Sequence, residues 1–153
     1  MKSTPDAHDP DWPKYPETLL TFATQPPIEI DLRAIPPRDA LTSLARAGLG
    51  KPFAIMTAFD PRGENLSSEQ NEQRRRVLEG KLANAGYRFV DVDCCSPDRS
   101  HCECSVAVIM PQKDAIALAK ELKQVAIFWF DGERFWIVGA MLETDPLMLP
   151  RSS

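Results

Sequence analysis

Short apolar runs alternate with polar stretches along this chain, and the pattern predicts both strands and helices. Two apolar runs, 19–24 and 28–32, predict strands on either side of a proline turn. A continuously apolar run, 53–58, lies between a proline and a polar turn, as is typical of a strand buried on both faces. Three other stretches have the periodicity and end signals of helices: 37–47, 67–85 and 112–123.

The remaining apolar runs predict further strands, the last two of which form a hairpin. Single strands are expected at 87–92 and 104–110. The runs 125–130 and 133–138 flank Asp131-Gly132, a dipeptide that suits a two-residue type I′ turn. Counting outward from such a turn pairs Phe130 with Glu133, Trp129 with Arg134, Phe128 with Phe135 and Ile127 with Trp136. We therefore expect a cation–π contact on one face of the hairpin and an aromatic pair on the other.

The element order is therefore β-β-α-β-α-β-β-α-β-β, which indicates a single α+β domain. We expect a mixed β-sheet of about five to seven strands with about three helices packed on it. Residues 1–16 contain four prolines and few aliphatic side chains, so a disordered leader is expected there. The domain would span 17–139, and the apolar tail 140–153 would dock on the body or on a partner subunit, as in a homodimer.

Composition narrows the class of protein. The chain has 153 residues, which suits one domain, and no apolar run approaches the roughly 20 residues that a membrane helix needs. A net charge of -4 disfavours nucleic acid as the main partner, because proteins that bind phosphate backbones usually present a basic face. The N-terminus lacks a secretory signal, so we expect a cytoplasmic protein with reduced thiols.

A first candidate site lies where the central strand ends. On the helix that follows, Asn71 and Arg74 continue the apolar stripe formed by Leu78 and its neighbours, so both polar side chains point inward. They lie close to Thr57 and Asp60 at the end of the strand, a place where open α/β sheets bind ligands. A polar pocket lined by these four residues is one interpretation, and an ion-pair network that only holds the turn is the alternative.

The cysteine-rich segment is a second candidate. All four cysteines and one of the two histidines fall within eleven residues, which offers zinc ligands at Cys94, Cys95, His101, Cys102 and Cys104. The spacing is poor for zinc, because adjacent cysteines point apart on an extended chain and the second pair is separated by one residue only. Unliganded thiols are favoured, and a disulfide across the loop is a redox alternative.

Three polar residues near the predicted strand ends complete the candidate set. Glu103 and Ser105 face the opposite side of their strand from Cys104, at a position from which they can reach a pocket. Glu103 is either a hydrogen-bond acceptor or a solvated charge on an edge strand. Gln124, just before the strand at 125–130, either caps helix carbonyls or lines the same pocket.

Several segments together resemble the bacterial domain-of-unknown-function family 3293, over about 15–138. The matching positions include Thr57, Pro61, Asn71, Arg74, Glu103, Ser105 and Gln124. The family has asparagine where this chain has Asp60, and its pattern has no cysteine at the four cysteine positions. The resemblance implies no activity, and it implies that a zinc site at the cysteines is not shared by the family.

The leading hypothesis is a binding module for a small polar or anionic ligand, such as a nucleotide-like molecule, at the mouth of the central strand. Arg74 would supply charge, Asn71 orientation and Glu103 a hydrogen-bond acceptor. A protein-interaction or inhibitor module that uses the aromatic hairpin and the tail is the alternative, and a zinc- or redox-active cysteine loop is a second one. No nucleophile or cofactor motif accompanies Glu103, so the sequence assigns no reaction.

Overall fold

The protein is described here by a computed structural model, which covers residues 12–61 and 64–151. Eight strands form one sheet, and its order is β2-β1-β4-β5-β3-β6-β7-β8. The strands are β1 (Leu19–Phe22), β2 (Ile28–Asp31), β3 (Phe53–Thr57), β4 (Phe89–Cys95), β5 (Cys102–Val108), β6 (Ala126–Phe130), β7 (Phe135–Gly139) and β8 (Leu147–Leu149). The α-helices are α1 (Arg38–Arg46), α2 (Ser68–Asn84) and α3 (Gln112–Glu121), and Trp12–Glu17 form a short 3-10 helix.

The α+β class and the three helices are confirmed, but the prediction of a mixed sheet with five to seven strands is wrong. Every described pairing is antiparallel, and there are eight strands. The reason lies in the crossovers. Helix α2 joins β3 to β4, which run in the same direction, but β5 lies between them; α3 joins β5 to β6, and β3 lies between those two. These interleaved units form the β-α-β-β-α-β arrangement called ferredoxin-like.

Each face of the sheet carries its own apolar cluster, and β3 contributes to both. Phe53 and Ile55 lie in the cluster that α1 covers, whereas Ala54 and Met56 lie in the cluster that α2 and α3 cover. These four side chains are at most 2% exposed. The sequence-based expectation of a central strand buried on both faces is confirmed.

The hairpin of β6 and β7 is also confirmed, but its predicted register is wrong by two residues. Phe130 pairs with Phe135 and Trp129 with Trp136, so four residues form the connection. The carboxylate of Asp131 explains the longer loop, because its Oδ1 accepts hydrogen bonds from the backbone N–H groups of Glu133 and Arg134, each at 2.8 Å. The predicted pairs, including Phe128 with Phe135, are therefore replaced by others.

Both ends of the described chain pack on the sheet. The 3-10 helix overlaps the predicted disordered leader, so the expected disorder does not extend to residues 12–16; residues 1–11 of that leader lie outside the described residues. At the other end, β8 pairs with β7, and Leu142 and Leu149 are each 1% exposed. These two apolar residues of the tail are thus buried within their own chain. None of the helices in the described part has the length and apolar character needed to span a membrane.

The packing of β8 predicts different costs for two adjacent substitutions. Leu149→Ala removes a side chain that is 1% exposed, whereas Met148→Ala removes one that is 47% exposed. We expect Leu149→Ala to lower the free energy of unfolding by about 2–5 kcal/mol and Met148→Ala by less than about 1 kcal/mol. Urea denaturation of both variants measures this difference, and equal costs would contradict the described position of β8.

Candidate functional site

A cavity of about 740 Å³ opens on the sheet face opposite α2 and α3. Side chains alternate along a strand, so Thr57 shares the face of Ile55, and Ser105 shares the face of Ala107. The cavity lies at the end of β3, between β4 and β5 on one side and β6 on the other. Its position on this face is decisive for which of the predicted site residues can reach a ligand.

Five of the seven candidate residues line this cavity. They come from β3, from the segment after it, from β5 and from the connection between α3 and β6: Thr57, Asp60, Glu103, Ser105 and Gln124. Asn71 and Arg74 do not line it, because α2 packs on the other face of the sheet. The sheet thus separates the four residues of the predicted pocket. Thr57 and Asp60 line the cavity, whereas Asn71 and Arg74 lie on the other face and support it from there.

Asn71 holds Asp60 in place from the far side. Its Oδ1 accepts a hydrogen bond from the backbone N–H of Asp60, and its Nδ2 donates to Asp60 Oδ1, each at 3.0 Å. The same Oδ1 of Asp60 accepts the backbone N–H of Leu66, also at 3.0 Å. Asp60 has a φ of 43°, a backbone conformation that costs free energy in a residue other than glycine. The three hydrogen bonds stabilise this conformation and orient the carboxylate.

Arg74 joins two backbone segments and does not face the cavity. Its Nε donates to the carbonyl of Ala58, and its Nη2 donates to the carbonyl of Leu122 at the end of α3. Burial lowers the pKa of this guanidinium, and the nearby charge of Glu64 opposes that shift. These contacts agree with the alternative in which Arg74 only stabilises the turn. The expected ion pair with Asp60 is not formed, because the partners of Arg74 are backbone carbonyl groups.

Among the described residues, the buried polar ones are Asn71, Ser105 and Gln124, each 5–7% exposed. Two of them line the cavity. Gln124 donates from Nε2 to the carbonyl of Phe59 at 2.9 Å, so it caps the segment after β3 and also contributes to the cavity wall. Thr57 donates to the carbonyl of Cys104 at 2.8 Å and accepts the backbone N–H of Phe59 at 3.0 Å. These contacts fix the polar wall of the cavity, since buried polar groups are stable only when hydrogen-bonded.

The connection between β4 and β5 brings His101 to the rim. Asp98 accepts hydrogen bonds from the hydroxyl and backbone N–H of Ser100, at 2.7 and 3.0 Å, and from the hydroxyl of Ser96 at 2.8 Å. These bonds lower the pKa of Asp98 to about 2. His101 follows this turn, and its Nε2 lies 3.4 Å from Glu103 Oε1.

All four cysteines lie on β4 and β5, whereas the strands expected at 87–92 and 104–110 included only Cys104. Cys95 at the end of β4 and Cys102 at the start of β5 pair across the strands and form a disulfide, so neither offers a thiolate for zinc. Burial raises the pKa of the Cys94 thiol to about 12, which leaves it protonated near neutral pH and a poor nucleophile. Cys104 faces away from the cavity, on the α2 side of β5. This arrangement does not form the five-residue zinc site.

Sequence reasoning missed the apolar wall of the cavity. Tyr15 and Phe128 line it, and their ring centroids are 6.2 Å apart. Tyr15 falls in the segment predicted to be disordered, and the wrong hairpin register obscured the place of Phe128. The available signal was Tyr15 itself, because an isolated tyrosine among prolines can anchor a chain segment to a core.

The contacts of Arg74 predict a structural role that can be measured. Arg74→Met keeps much of the aliphatic side chain but removes both hydrogen bonds, so we expect the free energy of unfolding to fall by about 1–3 kcal/mol. The matched control is Arg76→Met, because Arg76 lies on the same helix with its side chain 75% exposed. That control should change the free energy by less than about 0.5 kcal/mol in the same urea titration. Similar losses in the two variants would argue against the bridge to Ala58 and Leu122.

The lowered pKa of Asp98 predicts a specific pH dependence. The ordinary value for this group is 3.8 and the folded value is about 2, so the ionised carboxylate stabilises the fold above pH 3.8. That stabilisation is lost as the pH falls towards 2. The difference in unfolding free energy between the wild type and Asp98→Asn should therefore shrink over this range. An NMR titration gives the second check: Ser100→Ala should raise the pKa of Asp98, and an unchanged value would refute the assigned cause.

The central part of the chain matches a known protein family. Residues 56–127 match the model of the family described as Protein of unknown function (DUF3293). The matched segment is narrower than the expected 15–138, yet it contains all seven candidate residues from Thr57 to Gln124. No curated protein and no solved structure matches the chain. Over residues 56–127 the chain resembles a family whose description names no activity.

Proposed function

We propose that this protein is a binding module for a small polar molecule that carries hydroxyl or amino groups and occupies the cavity at the end of β3. One observation carries the proposal: five of the seven candidate residues, from four separate parts of the chain, line a single cavity. A volume of about 740 Å³ is in the range of small-molecule sites, which are commonly 300–1,000 Å³.

The two walls of the cavity differ in character, and this supports a ligand with a polar and an apolar side. Thr57, Ser105 and Glu103 form the polar wall. Ile55 and Phe128 lie on the apolar wall with Tyr15. Such a combination of an apolar surface with a few fixed polar groups is what orients small ligands in known sites.

The charges at the cavity favour a neutral or cationic ligand over an anionic one. The described lining residues include four carboxylates, from Glu17, Asp60, Asp98 and Glu103, and one lysine, Lys14. Arg74, the group expected to attract an anion, binds backbone carbonyls on the other face of the sheet. Carboxylates accept hydrogen bonds from hydroxyl and amino groups, and they repel phosphates. The proposal therefore keeps the polar ligand and leaves out the anionic or nucleotide-like one.

The proposal does not include a tail-mediated homodimer, since Leu142 and Leu149 are buried in their own chain. It keeps the cytoplasm as the compartment.

A variant that fills the cavity tests the proposal. Ala126 lines the cavity, and Ala126→Phe would occupy part of its volume; Ala117→Phe, at an exposed position on α3, is the matched control. In a thermal-shift screen run with a chelator, neutral or cationic small molecules should stabilise the wild type more than organic phosphates do. For the best compound, Ala126→Phe should raise the Kd at least about tenfold and the control less than about twofold, as measured by calorimetry.

Two results would overturn the proposal. One is a wild-type protein that none of the compound classes stabilises. The other is an unchanged Kd in Ala126→Phe when circular dichroism shows that this variant is folded. Preferential stabilisation by organic phosphates would overturn the assignment of ligand charge.

A further inference from the structure

We propose that Asp60, His101 and Glu103 bind one divalent transition-metal ion at the rim of the cavity. Each residue offers one ligating atom, and these atoms all lie within 4.8 Å of one another. They come from three places in the chain: the segment after β3, the end of the β4–β5 connection and the second residue of β5. One imidazole and two carboxylates would leave at least one coordination position open towards the cavity.

The spacing of His101 and Glu103 fits a shared ion. The distance of 3.4 Å between His101 Nε2 and Glu103 Oε1 is long for a direct hydrogen bond, which is commonly 2.7–3.2 Å. Metal–ligand bonds of about 2.0–2.2 Å at a tetrahedral centre place two ligand atoms roughly 3.4 Å apart. The pair is thus positioned as two corners of a tetrahedron. Because the three ligand atoms lie within 4.8 Å of one another, a shift of at most about 1.4 Å brings the most distant pair to the same spacing.

The third ligand is oriented from behind. Asn71 Nδ2 and the backbone N–H of Leu66 both donate to Asp60 Oδ1, each at 3.0 Å. Partners of this kind orient ligating carboxylates in metal sites, and their loss commonly weakens metal binding by 10–100-fold. Asn71 therefore has a positioning role: it orients the ligating carboxylate of Asp60, although it lies on the other face of the sheet.

The position of His101 is fixed by its own loop. The backbone N–H of Ser96 donates to the carbonyl of His101 at 2.9 Å, and the backbone N–H of His101 donates to Ser96 Oγ at 3.2 Å. The disulfide between Cys95 and Cys102 joins the two strands directly below this pair. The imidazole therefore lies on a segment closed by covalent and hydrogen bonds, although its side chain is 58% exposed.

The ligand set selects the class of ion. Imidazole suits zinc, iron, nickel and copper, and carboxylates suit manganese and magnesium, so a mixed set fits Zn²⁺ or Mn²⁺. None of the three ligands is a thiolate, and only His101 is shared with the zinc site suggested by the cysteine-rich segment. The ion can bind with the cavity empty, so this inference goes beyond the proposed small-molecule site and does not depend on it.

Calorimetry with ZnCl₂ and MnCl₂ tests the site on the full chain, prepared without a histidine tag and freed of metal with a chelator. We expect one ion per chain. His101→Ala, Asp60→Asn and Glu103→Gln should each raise the Kd for Zn²⁺ at least about tenfold. His8→Ala is the matched control, because His8 is the other histidine of the chain and should leave the Kd unchanged within about twofold.

The Asn71→Asp variant distinguishes a role of Asn71 in orienting Asp60 from a role in folding. It keeps the size of the side chain but replaces the donating amide with a carboxylate, so the Kd for Zn²⁺ should rise while circular dichroism remains that of the wild type. Absence of binding by both ions would overturn the proposal. So would a Kd that is insensitive to all three ligand substitutions, or one that His8→Ala alone changes. The small-molecule screen is performed with a chelator, so each proposal can fail while the other holds.

Discussion

Burial of β3 on both faces is the constraint on which the rest of the structure depends. The strand places Phe53 and Ile55 on one side and Ala54 and Met56 on the other, and each pair must be covered. Full burial of such side chains contributes roughly 1.5–3 kcal/mol for each large one. Helices α2 and α3 cover one face because both crossovers pass over the same side. The other face is left to α1 and the 3-10 helix.

This division explains why the cavity forms where it does. On the helical face, Leu78 and Leu82 fill the space above Met56 as far as the end of the strand. On the other face, α1 covers the cluster around Leu44, and the coverage towards Thr57 comes from Tyr15 and the β4–β5 connection. Because both crossover helices lie on one side of the sheet, polar residues on the other side, such as Ser105, can line a cavity.

Local signals in the sequence predicted local structure well. The helix expected from 67 begins with a capping box formed by Ser67 and Gln70, and Gly86 after its end has a φ of 82°. Helical periodicity also showed correctly that Asn71 and Arg74 point towards the sheet. It could not show which face of the sheet α2 covers, because that depends on strand order, which is a long-range property. The hairpin illustrates the same limit, since the hydrogen bonds of one side chain, Asp131, moved the register by two residues.

An open sheet of eight strands has two edges, and in this protein both are short and border on prolines. β2 has four residues and follows Pro27 directly, and β8 has three residues and is followed by Pro150. A proline has no backbone N–H to donate to a further strand, and a short edge offers few groups for pairing. The ends of the sheet are therefore poor templates for the addition of strands from other molecules, so the chain can carry a broad open sheet without promoting its own aggregation.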